Sequence, residues 1–131
     1  MKKYIFVALG GMLGALARFG IKQIGTATAI SSFPFDTLLI NIIGSLLLAF
    51  ILTLSIETIY LQQDLKAGIT VGFLGGFTTF STFCKEAVVL MMQQQYMGAI
   101  AYIVLSAGLG LIAAYAGMGW AKKITQKKVR Q

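Results

Sequence analysis

Four long apolar stretches, residues 4–24, 38–60, 67–92 and 97–120, follow one another with only short connectors between them. At about 1.5 Å of rise per helical residue, the first of these covers roughly 31 Å, which matches a hydrocarbon core of about 30 Å. A segment in lipid must satisfy its own backbone N–H and C=O groups, so it spans either as a helix or as part of a closed barrel. The ten-residue alternating strands of a barrel are absent here, and the pattern predicts an all-α membrane protein. Only 11% of the residues are charged, with 57% drawn from the AVILMFWYC set. A soluble domain carries roughly a quarter charged residues, so most of this chain has lipid as its solvent. We therefore expect a single transmembrane domain over residues 1–131, with four helices and a basic tail at 121–131.

The charge of +7 does not point to nucleic acid. Lys122, Lys123, Lys127, Lys128 and Arg130 cluster in the tail, and no basic stripe interleaves with aromatics. They read as a juxtamembrane cluster. Histidine is absent, and the one cysteine, Cys84, lies in an apolar run. Disulfide scaffolds, zinc sites and imidazole catalysis are thereby excluded, and an enzyme is not expected. Ala15-Leu16-Ala17 could mark a signal-peptide cleavage site, but Arg18 follows at once and the apolar pattern continues, favouring a first spanning helix. Four spans put both termini on one side with Lys2, Lys3, Lys66 and the tail, opposite Arg18 and Lys22. The positive-inside rule places that side in the cytoplasm.

Small residues recur at four-residue intervals: Gly10 and Gly14, then Gly68, Gly72 and Gly76, then Ser106 with Gly110 and Ala113 with Gly117. Such rows let helix backbones approach closely where packing rather than water drives association. They serve packing within one chain or, with rows on three segments, assembly into a symmetric dimer.

The stretch 72–83 carries the densest chemistry. Gly75 and Gly76 weaken the helix, and Thr78, Thr79, Ser81 and Thr82 follow, so we expect the third helix to break at mid-depth. Backbone freed there is tolerated only where protein or an ion satisfies it. The alternative is that each hydroxyl bonds back to its own helix. Phe80 and Phe83, at i and i+3, share a face. They are either a packing pair or two ring edges, which are electropositive and can stabilise a small anion without a fixed charge. Asn41 must face a partner helix or a pathway, since an amide facing lipid is costly. Arg18 can snorkel or collect anions at a vestibule, and Lys22 is read as interfacial. Glu86 is a buried acceptor, half of an ion pair or a proton carrier. Tyr102 and Ser106 put two hydroxyls on one face of the fourth segment, and Thr37 and Ser45 add others in the second.

Together, Gly10-Gly11-x-x-Gly14-Ala15-x-x-Arg18, Asn41-x-x-Gly44-Ser45 and Gly72-Phe73-x-Gly75-Gly76-Phe77-Thr78-Thr79-Phe80-Ser81-Thr82-Phe83 resemble the Fluc (CrcB) fluoride channel family across essentially the whole chain. The resemblance implies an antiparallel homodimer in the inner membrane of a prokaryote, with two fluoride pathways and one structural sodium ion at its centre. It implies that the dimer exports fluoride passively. By position, Phe80, Phe83 and Asn41 match pore residues, and Ser81, Thr82, Tyr102, Ser106 and Glu86 match further polar pore positions. Arg18 matches the vestibule arginine, and Gly75 and Thr78 match residues whose carbonyls hold the sodium. The lysine and arginine bias of this chain is stronger than a dual-topology protein is expected to carry. Two other classes compete: a small multidrug-type transporter, which needs a carboxylate in helix 1 that this segment lacks, and a purely structural subunit, which leaves the hydroxyl-rich stretch unexplained.

Overall fold

The computed structural model describes residues 1–28, 33–57 and 62–129. These residues are helical and contain no strand. Helix α1 is Lys2–Thr28 and α2 is Phe35–Glu57. The third crossing is split: α3 joins Gln63–Ala67, a π-helical Gly68–Phe73 and Leu74–Phe77, and α4 is Phe80–Met92. The last helix, α5, is Tyr96–Val129. Four stretches are long and apolar enough to cross a membrane: Lys2–Ile24, Phe35–Ile56, Gln63–Met92 and Tyr96–Lys127.

The helix limits depart from the sequence reading in ways that local chemistry explains. Pro34 presets the backbone before α2 and its carbonyl accepts the Leu38 amide at 3.2 Å, so the helix begins at Phe35, with Asp36 at its electropositive end. At the far end of α4 the chain turns through a Schellman motif. Gln94 takes a left-handed φ of 61° while the Gln95 amide reaches the Leu90 carbonyl and the Gln94 amide reaches that of Met91. Residues 121–129, expected as a separate tail, instead continue α5. Ser31 and Ser32 of the first connector, Tyr60 and Leu61 around the second, and Arg130 of the tail lie outside the described residues.

The glycine rows pack within the chain. A Cβ on Gly10 would overlap the Gly68 carbonyl oxygen, and one on Gly14 would overlap that of Phe73. The relation is reciprocal, since Gly72 lies against the Val7 backbone and Gly76 against that of Gly11. Gly117 on α5 meets the Leu46 carbonyl of α2 in the same way. The rows on the first, third and fourth segments are thus used to bring α1 against α3 and α5 against α2, and they do not by themselves argue for a dimer. A small buried core of Leu38, Ala87, Leu90, Ala99 and Tyr102, flanked by Phe33, Ile42 and Phe83, fills the α2, α4 and α5 side. Large apolar side chains such as Leu9, Met12, Leu13 and Leu16 remain on the outside, where lipid covers them.

Candidate functional site

The site begins with the two residues that interrupt the third crossing. Thr78 (φ −74°, ψ 158°) and Thr79 (φ −148°, ψ 117°) are extended, so α3 ends at Phe77 and α4 starts afresh at Phe80. Thr78 still bonds back to its own helix, with both its amide and its hydroxyl on the Leu74 carbonyl at 2.9 and 2.8 Å. Thr79 does something else. Its Oγ1 accepts the Thr82 amide at 3.2 Å, capping α4, and donates to Thr82 Oγ1 at 2.9 Å. Ser81 Oγ lies 3.5 Å away from the same hydroxyl.

Asn41, reaching across from α2, completes the break. Its Nδ2 donates to the Thr79 carbonyl at 3.1 Å, and its Oδ1 accepts the Thr79 amide at 2.9 Å. One side-chain amide thus substitutes for a neighbouring strand, satisfying both backbone groups of a buried residue. The two diverted amides have a common consequence. In an unbroken helix the Thr79 amide would close on the Gly75 carbonyl and the Thr82 amide on that of Thr78. Side chains now hold both amides, and these two carbonyl oxygens lose their helical partners. Arg18 Nη1 approaches the Thr78 oxygen at a long 3.4 Å. A Cβ at Gly75 would meet nothing within 4 Å, so this position is open on the outer face. Gly44 is small for the opposite reason, because a Cβ there would overlap Thr78 Cγ2. Asn41, Gly44, Gly75, Thr78, Thr79 and Phe80 are among the walls of a hollow of about 310 Å³, which no charged residue lines.

A second cluster lies farther along α4. Glu86 Oε1 accepts from Lys22 Nζ and from Thr37 Oγ1, each at 2.9 Å, while Oε2 accepts from the Tyr102 hydroxyl at 2.8 Å. Lys22 also lies 3.6 Å from Asp36. In the structure Glu86 is a hydrogen-bond acceptor and half of an ion pair at once. Lys22, read as interfacial, lies in the last turn of the first candidate span, and its ammonium is shared between the two carboxylates.

Phe83 connects the clusters through its packing on Tyr102, at a centroid distance of 5.2 Å. Phe80 lies 5.9 Å from Phe83 with its ring 79% exposed, so this chain alone does not enclose it. Ser106 joins neither hydrogen-bond network; its buried Oγ has no partner among the described residues. Two participants were under-read in sequence. Thr79 is the pivot of the break, and the Thr79-x-x-Thr82 spacing of an N-cap was the available signal. Asp36 carried no signal beyond its place in the first turn of α2. Removing the cap with Thr79→Ala should lower stability by about 1 kcal/mol, seen as a drop of a few degrees in the thermal midpoint in detergent, with Thr79→Ser close to wild type.

Residues 5–118 match the family described as CrcB-like protein, Camphor Resistance (CrcB). The chain belongs to the CrcB family. Among its curated relatives, a protein named Fluoride-specific ion channel FluC 2 from Carboxydothermus hydrogenoformans is 40% identical, over 98% of this chain and 93% of its own length. Fluoride-specific ion channel FluC from Hahella chejuensis is 42% identical, over 92% of this chain and 94% of its own. The protein of that name from Geobacter sulfurreducens is 35% identical, over 95% of this chain and all of its own. The CrcB match takes in every site residue named above, from Arg18 to Ser106, and leaves out Lys122, Lys123 and Lys127 at the end of α5.

Proposed function

We propose that this CrcB chain is a fluoride-specific ion channel, not an enzyme, that releases cytoplasmic fluoride passively across the inner membrane of a prokaryotic cell. The observation that carries the reading is a hydroxyl-rich break at the middle of a membrane-crossing segment, beside a hollow lined by uncharged residues, in a chain whose relatives over nearly their full length bear that name. Fluoride is small and strongly hydrated, so a path for it must offer hydrogen-bond donors in place of water. Ser81, Thr82, Ser106 and the second N–H of the Asn41 amide are such donors, and Tyr102, its hydroxyl donated to Glu86, lines the path beside them. The edges of Phe80 and Phe83 add favourable potential without a fixed cation that would hold the ion back. Glu86 belongs to this path as an occupied acceptor, and Arg18 edges it beside the break.

The functional unit in this reading is an antiparallel homodimer with two pathways. Support comes from what one chain leaves open: the exposed Phe80 ring, the bare outer face at Gly75 and the lack of a second wall around the hollow at the break. A structural sodium ion fits the carbonyls of Gly75 and Thr78, which have lost their helical amides and are hard oxygen donors. When bound there, sodium supplies a positive charge that holds carbonyl oxygens together. Among the described residues, no group of three His, Cys, Asp or Glu offers an alternative cage.

The test is fluoride release from liposomes holding the purified protein, read with an ion-selective electrode, with a potassium ionophore and a chloride-loaded control. Fast fluoride release with negligible chloride release supports the reading. No release from folded, inserted protein overturns it, and proton movement dependent on a cationic drug would favour a transporter instead. Within that assay, Phe80→Ile and Phe83→Ile should each cut fluoride release by about two- to tenfold, taking a ring-edge interaction as worth about 0.5–1.5 kcal/mol. The thermal midpoint separates the two rings: Phe83→Ile lowers it by loosening Tyr102, whereas Phe80→Ile leaves it unchanged. Undiminished release from both variants would eliminate the ring-edge mechanism.

A further inference from the structure

We propose that Lys22 is a positioning residue of the anion path, acting by offsetting the charge of Glu86 and holding its carboxylate so that the Thr37 hydroxyl, which shares Oε1 with it, can turn to a passing anion. The proposal rests on reading Glu86 as part of the pathway. An ionised carboxylate on the wall of an anion path is a liability twice over. It repels the ion, and it competes for the hydroxyl donors the ion needs. Glu86 does compete, drawing Thr37 Oγ1 onto one oxygen and the Tyr102 hydroxyl onto the other.

Lys22 answers both problems from a different helix. Its Nζ lies 2.9 Å from Glu86 Oε1, and the two side chains are only 29% and 22% exposed, so solvent screens the pair incompletely. The shorter contact gives Glu86 the larger share of the ammonium, which it divides with Asp36, and the Oε1 that Thr37 occupies keeps a strong donor when the threonine hydroxyl rotates away. Lys22 and Glu86, with Thr82 and Lys85, line a hollow of about 420 Å³, which places this ion-paired carboxylate beside space an anion can occupy. Among the described residues, charged and titratable groups facing the pair include Asp36, 3.6 Å from Lys22, Tyr102 on α5 and Lys85 on α4. Asp36 shares the ammonium without displacing it from Glu86. Arg18, by contrast, is committed to the break and does not reach this carboxylate.

The experiment compares fluoride release from proteoliposomes for wild type, Lys22→Gln, Lys22→Arg, Glu86→Ala and the double variant Lys22→Gln/Glu86→Gln, each first shown to elute as folded protein. Lys22→Gln should lower the rate by about tenfold or more, because an uncompensated, partly buried carboxylate then faces the ion. Lys22→Arg should stay within about threefold of wild type, since the positive charge is kept. Cancelling both charges in the double variant should recover most of the lost rate. Lys22 as a mere helix anchor would not be rescued by changing Glu86, so a double variant no faster than Lys22→Gln overturns the proposal. Lys22→Gln at the wild-type rate overturns it as well. Glu86→Ala, which leaves Lys22 its contact with Asp36, should release fluoride at least as fast as wild type; a loss as large as that of Lys22→Gln overturns the proposal while the channel reading stands, and no release from wild type removes the channel reading itself.

Discussion

Replacing Asn41 with alanine should reduce fluoride release at least about 30-fold, because the change strips partners from two backbone groups at once, each worth about 1–3 kcal/mol when left buried and unpaired. The Thr79 carbonyl and amide are both held by this one side chain, at 3.1 and 2.9 Å. Without it the break has two ways to relax, and both harm the path. The chain can close into helix, returning the Thr79 amide to the Gly75 carbonyl, or it can recruit water at mid-membrane. Asn41→Asp separates donor from acceptor: it keeps a partner for the amide but sets a carboxylate oxygen against the Thr79 carbonyl, so it should recover little. The check is electrode-recorded release from proteoliposomes of protein that elutes as wild type does. A rate for Asn41→Ala within about threefold of wild type would show that the break holds itself open without the clamp.

The second large effect is on folding. Gly14→Leu should eliminate folded protein, because the first carbon of the new side chain already overlaps the Phe73 carbonyl, and the other atoms nearest it, Phe73 C and Phe77 N, are α3 backbone too. Neither helix can yield locally, as the same approach is repeated at Gly10, Gly72 and Gly76. In lipid no hydrophobic effect between helices offsets the loss, so separating α1 from α3 removes most of what joins them. Gly20→Leu lies on the same helix, where an added Cβ meets nothing within 4 Å, and it should behave as wild type. Size-exclusion chromatography in mild detergent reads both variants. A monodisperse Gly14→Leu would mean that the close approach of α1 and α3 is dispensable.

The spanning segments were legible because lipid imposes a single requirement on 20-odd consecutive residues, and apolar length records it directly. The break was legible too, since Gly75, Gly76 and four hydroxyls within five positions are an improbable way to write a helix. What sequence could not assign was partnership. Thr78, Thr79, Ser81 and Thr82 look alike in a string, yet Thr78 bonds back to its helix while Thr79 caps the next one. Lys22 and Glu86 are 64 positions apart; α1 packs on the first half of the third crossing, and only the long lysine side chain, reaching past that contact to α4, comes within 2.9 Å of the carboxylate. The glycine rows were read correctly as contact surfaces, but four-residue spacing does not say whether the other surface belongs to the same chain. The π-helical Gly68–Phe73 carries no recognisable signal of its own.

The length of α5 has a consequence for how current flows. Its 34 residues extend about 51 Å, against about 30 Å of hydrocarbon, so some 20 Å of rigid helix carries Lys122, Lys123 and Lys127 beyond the bilayer. In an inverted pair, one such cationic post would rise from each face. Every ion approaching from either compartment would then meet the same electrostatic landscape in the same order. A membrane voltage of either sign would drive equal currents, and a symmetric current–voltage relation through the origin becomes the electrical signature of the antiparallel arrangement.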